Sequence, residues 1–161
     1  MGHRVTFHGS KCRNLHGHRY TIQATCSGPL FDEGEQQGMV LDFGFLKAEM
    51  MAQIDEPCDH GFCFWVKDDL VMGMFEYADP GMPTLQEAAE ASISKLGYYQ
   101  GTGASGTKIY VVPFVPTAEN LAKHWFNRLS GRVNMITDGH ASLHEIKVWE
   151  TPNCSASYPV R

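Results

Sequence analysis

Four kinds of pattern are missing from this sequence, and each absence removes a class of function. No run of about 18 apolar residues occurs, so a membrane-spanning helix is not expected. The first residues also lack the charged-then-apolar pattern of a secretory leader. Basic runs are absent too: 13 lysines and arginines against 18 acidic residues leave a net charge of −5, the wrong sign for gripping a nucleic-acid backbone. The five cysteines (Cys12, Cys26, Cys58, Cys63 and Cys154) are odd in number and form no Cys-x-x-Cys pair. That excludes both a disulfide framework and a structural zinc finger, and points to free thiols in a reducing cytoplasm. Cys26 and Cys63 lie in apolar-rich segments and read as packing residues.

What is present is concentrated early. Cys12-Arg13-Asn14-Leu15-His16-Gly17-His18 places a thiol and two imidazoles within seven residues, just ahead of the alternating stretch Tyr20 to Thr25. Residues two apart in a strand share a face, so His16 and His18 can converge on one ion. Imidazole suits Zn²⁺, and a catalytic zinc commonly takes three protein ligands and keeps one position open. His3 and His8 both stand upstream as candidates for the third ligand. A lone His-x-His is as often two surface histidines as a site. The extra histidines and the adjacent Cys12 favour a catalytic metal.

At 161 residues with 43% hydrophobic content, the chain suits one domain with a substantial core. Tyr20 to Ser27 alternates as a strand, with Met39-Val40-Leu41 as the expected partner across a Gly- and Pro-containing loop. Asp42 is placed to cap a helix from about Phe43 to Ile54, halted by Glu56-Pro57. Gly61 to Val66 reads as a buried strand. Lys67 to about Ala78 and Thr84 to about Leu96 read as helices separated by Asp79-Pro80-Gly81, and Gly97 to Gly106 as a mobile loop. Lys108 to Val112 is a strand, Thr117 to about Leu129 a helix with Leu121, Trp125 and Leu129 on one stripe, and His144 to Thr151 the final strand. No internal repeat is present. The order suggests an α+β domain with an antiparallel sheet.

Four further segments follow the heptad: Val40-Leu41-Asp42-Phe43, Asp59-His60, Pro116-Thr117-Ala118-Glu119-Asn120 and Trp149-Glu150-Thr151. In this order the chain resembles the 6-pyruvoyl-tetrahydropterin synthase family over about residues 3 to 66 and 108 to 154. The three-residue gap between Cys12 and His16 is associated there with the queuosine-pathway branch that forms 6-carboxy-tetrahydropterin. The resemblance implies a tunnelling fold: an antiparallel four-stranded sheet with helices on one face, the sheets of several subunits joined into a barrel. It implies a homohexamer built as a dimer of trimers, with active sites at subunit contacts. One such domain would fill residues 1–161, with an insertion at about 67–107. The chain opens at Met1-Gly2-His3, where the resemblance implies a full strand, so a shortened or truncated edge strand is expected.

The resemblance selects His3 over His8 as the third zinc ligand beside His16 and His18, because His3-Arg4-Val5 matches the family's segment. It assigns Cys12, Asp59 and His60 to a proton relay and Glu150 to the pterin ring. The chemistry of these residue types agrees. A thiol near a divalent ion ionises more readily, and a carboxylate beside an imidazole orients it to exchange a proton near neutral pH. Glu150 shares its expected strand face with Ile146 and Val148, and a two-donor pterin edge would satisfy it there. Thr117 is a secondary candidate for substrate contact, although capping explains it equally well. Asp42 reads as a helix cap, and Met72 to Met82 as packing. Lys11 and Arg13 are candidates to receive a triphosphate.

The implied activity is a zinc-dependent carbon–carbon lyase. It converts 7,8-dihydroneopterin triphosphate to 6-carboxy-5,6,7,8-tetrahydropterin, acetaldehyde and triphosphate. The alternatives are formation of 6-pyruvoyl-tetrahydropterin, side-chain cleavage feeding folate synthesis, and a non-catalytic pterin- or purine-binding oligomer.

Overall fold

In the computed structural model, which describes residues 1–77 and 81–159, the strands in chain order are β1 (Gly2–His3), β2 (His16–Gly17), β3 (Thr21–Ser27), β4 (Phe62–Trp65), β5 (Tyr99–Thr102), β6 (Lys108–Val112), β7 (Ser142–Thr151) and β8 (Cys154–Tyr158). The helices are α1 (Phe43–Met50), α2 (Glu56–Cys58), α3 (Asp69–Phe75), α4 (Leu85–Leu96) and α5 (Ala118–Ile136). They fall into two compact units, Met1–Arg19 with Pro57–Thr117 and Tyr20–Glu56 with Ala118–Arg161. Ala78, Asp79 and Pro80, which hold the expected break between two helices, lie outside the described residues.

The first unit is built on a mixed sheet in the order β2-β1-β4-β6-β5. Strands β4 and β6 run parallel, and their near-continuous apolar sequences suit a sheet covered on both faces. The crossover between them carries α3 and α4. Phe64, Ile109 and Val111 of the sheet pack against Val71, Met72 and Phe75 of α3 and Leu85 and Ala89 of α4. Thr84 caps α4 in a reciprocal box: Glu87 N–H donates to Thr84 Oγ1 at 3.2 Å, and Thr84 N–H to Glu87 Oε2 at 2.9 Å. Gly97 closes the helix at φ +81°, a conformation that costs glycine little.

Gly97 to Gly106 is not the mobile loop its composition suggests. Tyr99–Thr102 forms β5, paired antiparallel to β6. A Cβ at Gly103 would lie 2.9 Å from Phe75 Cβ, so at least this glycine serves close packing.

The second unit carries the antiparallel sheet β3-β7-β8. Ile22 stands opposite Val148 and Ala24 opposite Ile146, and α5 packs on the sheet through Leu121, Trp125, Leu129 and Val133. The stripe continues to Val133, which carries α5 beyond Leu129. The α+β class and an antiparallel sheet are as expected, but the strands divide differently from a single four-stranded sheet. The two-residue β1 pairs with β2 and β4. The antiparallel sheet therefore has three strands.

Two further segments differ from their local signals. Met39-Val40-Leu41 does not pair with β3. The Met39 carbonyl accepts from Phe31 N–H at 2.9 Å and Gly38 N–H donates to the Phe31 carbonyl at 2.9 Å, so this loop closes on itself and β7 takes the place beside β3. Glu56-Pro57 does not end the helical run. Met51–Asp55 is wound as a π-helix, with Glu56 N–H donating to the Met51 carbonyl, and α2 follows directly. The wider turn accommodates a proline that has no N–H for a regular helical bond. Asp42 caps α1 as expected, accepting from Gly44 N–H.

Candidate metal centre

The pairing of β1 with β2 sets His3 directly opposite His16, so their side chains leave the sheet on one face. His18 follows two residues later. One ring nitrogen from each of His3, His16 and His18 lies within 4.8 Å of the others, and among the described residues these three form the cluster of metal-binding donors. The rings of His3 and His16 are 4.5 Å apart, centre to centre. His3 is fully buried, whereas His16 and His18 are half-buried.

Two of the rings are oriented from behind. His3 Nδ1 is 3.0 Å from the Pro116 carbonyl and His16 Nδ1 is 2.7 Å from the Asn14 carbonyl. A carbonyl only accepts, so each Nδ1 carries the proton and each Nε2 presents the lone pair. Backbone carbonyls behind metal-binding imidazoles commonly fix tautomer and ring orientation in this way. The donor set of neutral imidazoles fits a divalent transition ion.

His8, the rival third ligand, is exposed and outside the cluster. Its Nδ1 accepts from Ser10 N–H at 3.1 Å and lies 2.8 Å from Ser10 Oγ. Cys12 is half-exposed on a 3-10 turn at Lys11–Arg13, and its carbonyl accepts from Val5 N–H at 2.8 Å. The Cys12 thiol is not a member of the three-histidine cluster. Lys11 and Arg13 are exposed on the same turn.

Asp59 and His60 do form a pair. His60 Nδ1 donates to Asp59 Oδ2 at 2.7 Å, with the His60 and Asp59 side chains 93% and 55% exposed in the single chain. That hydrogen bond holds the Asp59 carboxyl below the usual carboxylate range. His60 adopts φ +55°, unusual for a residue other than glycine. Lys108 Nζ donates to the Asp59 carbonyl at 2.8 Å and fixes the turn from the other side.

Glu150 departs from simple alternation. The register of β7 against β8 slips between Trp149 and Thr151, which leaves Glu150 at a bulge. The half-buried Glu150 carboxylate accepts from Tyr20 Oη at 3.2 Å. Thr117 is half-buried immediately before α5, with its N–H donating to the Val115 carbonyl at 2.8 Å. It adjoins Pro116, whose carbonyl holds His3.

Among the thiols, burial pushes Cys63 well above the ordinary range and Cys26 up as well, consistent with packing roles. The carbonyls of Asn14 and Pro116 are groups of the three-histidine cluster that residue patterns did not single out. A main-chain carbonyl carries no signal in the residue pattern.

A family model described as 6-pyruvoyl tetrahydropterin synthase matches residues 1–160. The 6-carboxy-5,6,7,8-tetrahydropterin synthase of Haemophilus influenzae is 32% identical over 158 residues, covering 98% of this chain and 91% of its own length. The enzyme of that name from Aquifex aeolicus is 32% identical over 150 residues, covering 92% and 76%. Among solved structures, an uncharacterized protein from Wolinella succinogenes superposes with TM-score 0.67 at 23% identity, over 97% of this chain and 90% of that one. The 6-pyruvoyl tetrahydropterin synthase of Plasmodium falciparum does so with TM-score 0.58 at 18% identity, over 97% and 86%. At those identities the structures speak for the fold alone.

Proposed function

The chain belongs to the 6-pyruvoyl tetrahydropterin synthase family, and from that premise we propose that it is a 6-carboxy-5,6,7,8-tetrahydropterin synthase of queuosine biosynthesis. In the proposed reaction, 7,8-dihydroneopterin triphosphate and one water yield 6-carboxy-5,6,7,8-tetrahydropterin, acetaldehyde and triphosphate. The observation that carries the reading is the convergence of His3, His16 and His18, with two rings oriented by carbonyls. Support for the carboxy-forming branch comes from the names of the relatives and from the three-residue gap between Cys12 and His16.

His3, His16 and His18 would hold Zn²⁺. Three neutral imidazoles leave a bound zinc its full charge, which supplies a Lewis acid for substrate hydroxyls. Cys12 Sγ is assigned the role of proton acceptor. Asp59 orients His60 through Nδ1, which leaves Nε2 to take up and return a proton. The Glu150 carboxylate, re-aimed by its bulge, is assigned to the amino and ring N–H edge of the pterin. Thr117 is assigned a secondary substrate contact, and Lys11 and Arg13 the triphosphate. A homohexameric dimer of trimers and a cytoplasmic setting complete the proposal. Five free thiols support the latter.

The test is turnover after metal removal. Chelated protein should be inactive and regain activity with added zinc, and Cys12→Ala should keep zinc while losing at least a hundredfold in kcat. Undiminished turnover by the chelated protein would remove the metal from the mechanism. Full activity in Cys12→Ala would remove the thiol.

A further inference from the structure

Asp68 is 2% exposed and lies in the segment separating the two regions of family resemblance. Its carboxylate reaches the segment that follows His3. Arg4 Nε donates to Asp68 Oδ2 at 2.7 Å, and Thr6 Oγ1, also buried, donates to the same oxygen. The other oxygen accepts from Val71 N–H at 3.4 Å, where Asp68 caps α3. The cap is anchored in turn, because Val71, Met72 and Phe75 are in the hydrophobic core.

Arg4 directly follows the buried ligand His3, which ends the two-residue β1. So short a strand supplies few ladder bonds, with only Gly2 and His3 paired to its neighbours. Beyond His3 the chain is held by Arg4 and Thr6 on Asp68, and by Val5 N–H on the Cys12 carbonyl. The same three residues therefore fix the exit from His3 and the seat of the Cys12 turn.

We propose that Asp68 is a positioning residue for the metal centre: through Arg4 and Thr6 it locks the segment joining His3 to the Cys12 turn. This inference rests on the proposed three-histidine centre. A buried carboxylate with two charge-assisted or hydroxyl donors is a rigid anchor, and removing one member leaves the others poorly satisfied. The α3 region then contributes rigidity to a ligand that its own strand barely holds.

The experiment measures Co²⁺ affinity by chelator competition, read through the visible bands of the bound ion. It compares the wild type with Asp68→Asn, Thr6→Val, Arg4→Lys and Arg4→Met. Glu49→Gln serves as control, because it cuts an ion pair with Arg132 of 2.8 Å in the other unit. Asp68→Asn should weaken Co²⁺ binding about 10- to 100-fold, the range typical of lost support behind metal ligands. Thr6→Val, nearly isosteric, should weaken it several-fold, and Arg4→Lys should retain more affinity than Arg4→Met. Site-resolved alkylation of Cys12 should quicken in Asp68→Asn.

A purely structural role would lower Tm in Asp68→Asn and Glu49→Gln alike and leave Co²⁺ affinity in the folded proteins unchanged. That result overturns the proposal, and if Asp68→Asn fails to fold, unchanged affinity in Thr6→Val does the same. Wild type that binds no Co²⁺ through His3, His16 and His18 would instead overturn the metal reading, and this inference with it.

Discussion

His3 and His16 reach one cluster by different means. The Asn14 carbonyl behind His16 is local, whereas the Pro116 carbonyl behind His3 comes from 113 residues away. The His3 ring therefore depends on packing that spans its unit. A histidine outside that cluster, on α5, is set by its burial. His124 of α5 is 9% exposed, and burial, reinforced by the nearby Arg128 charge, pushes its imidazole down to about 4. In the unfolded chain it returns to about 6.5. Between these values the unfolded chain binds the extra proton, so stability is fully present above about pH 6.5 and falls as pH drops towards 4. Between pH 7.5 and 4.5, urea unfolding should show wild type losing on the order of 2 kcal/mol more stability than His124→Gln. Equal losses would show that His124 is not the group responsible.

Helix α4 shows how an element can be stated by its ends. Thr84, Glu87 and Gly97 form a start and a stop that local chemistry makes legible, and the helix spans Leu85–Leu96 between them. The bond from Thr84 to Glu87 also holds that carboxyl below its usual range. Removing the cap in Thr84→Ala should cost about 1 kcal/mol in urea unfolding, with Thr84→Ser largely restoring it. No change in Thr84→Ala would mean that α4 is held by Leu85 and Ala89 packing alone. Elsewhere local signals were overruled by tertiary pairing. Gly97 to Gly106 has loop composition, yet β6 offers an edge that β5 completes. Pro57 carries a stop signal, yet the π-helical turn at Met51–Asp55 absorbs it. Neither outcome could be read locally, because each depends on partners distant in sequence or on a backbone geometry that no residue type announces.

At the scale of the whole molecule, membership of the family joins features that are individually weak. His16 and His18 were legible from their spacing, and the Asp59–His60 contact from adjacency. His3 is preferred to His8 only through the family resemblance; β1 sets His3 opposite His16, while His8 turns to Ser10. The two-sheet arrangement, the bulge at Glu150 and the anchor at Asp68 were not legible, since each arises from register or from contacts between distant segments. The proposed function assigns the three-histidine centre to a carboxy-forming pterin lyase. Its most direct test is mass identification of the product from 7,8-dihydroneopterin triphosphate, run with zinc-loaded wild type and with a folded His16→Ala variant. The wild type should yield 6-carboxy-5,6,7,8-tetrahydropterin with acetaldehyde, and the variant no product. A pyruvoyl product, or the carboxy product at an undiminished rate from His16→Ala, would contradict it.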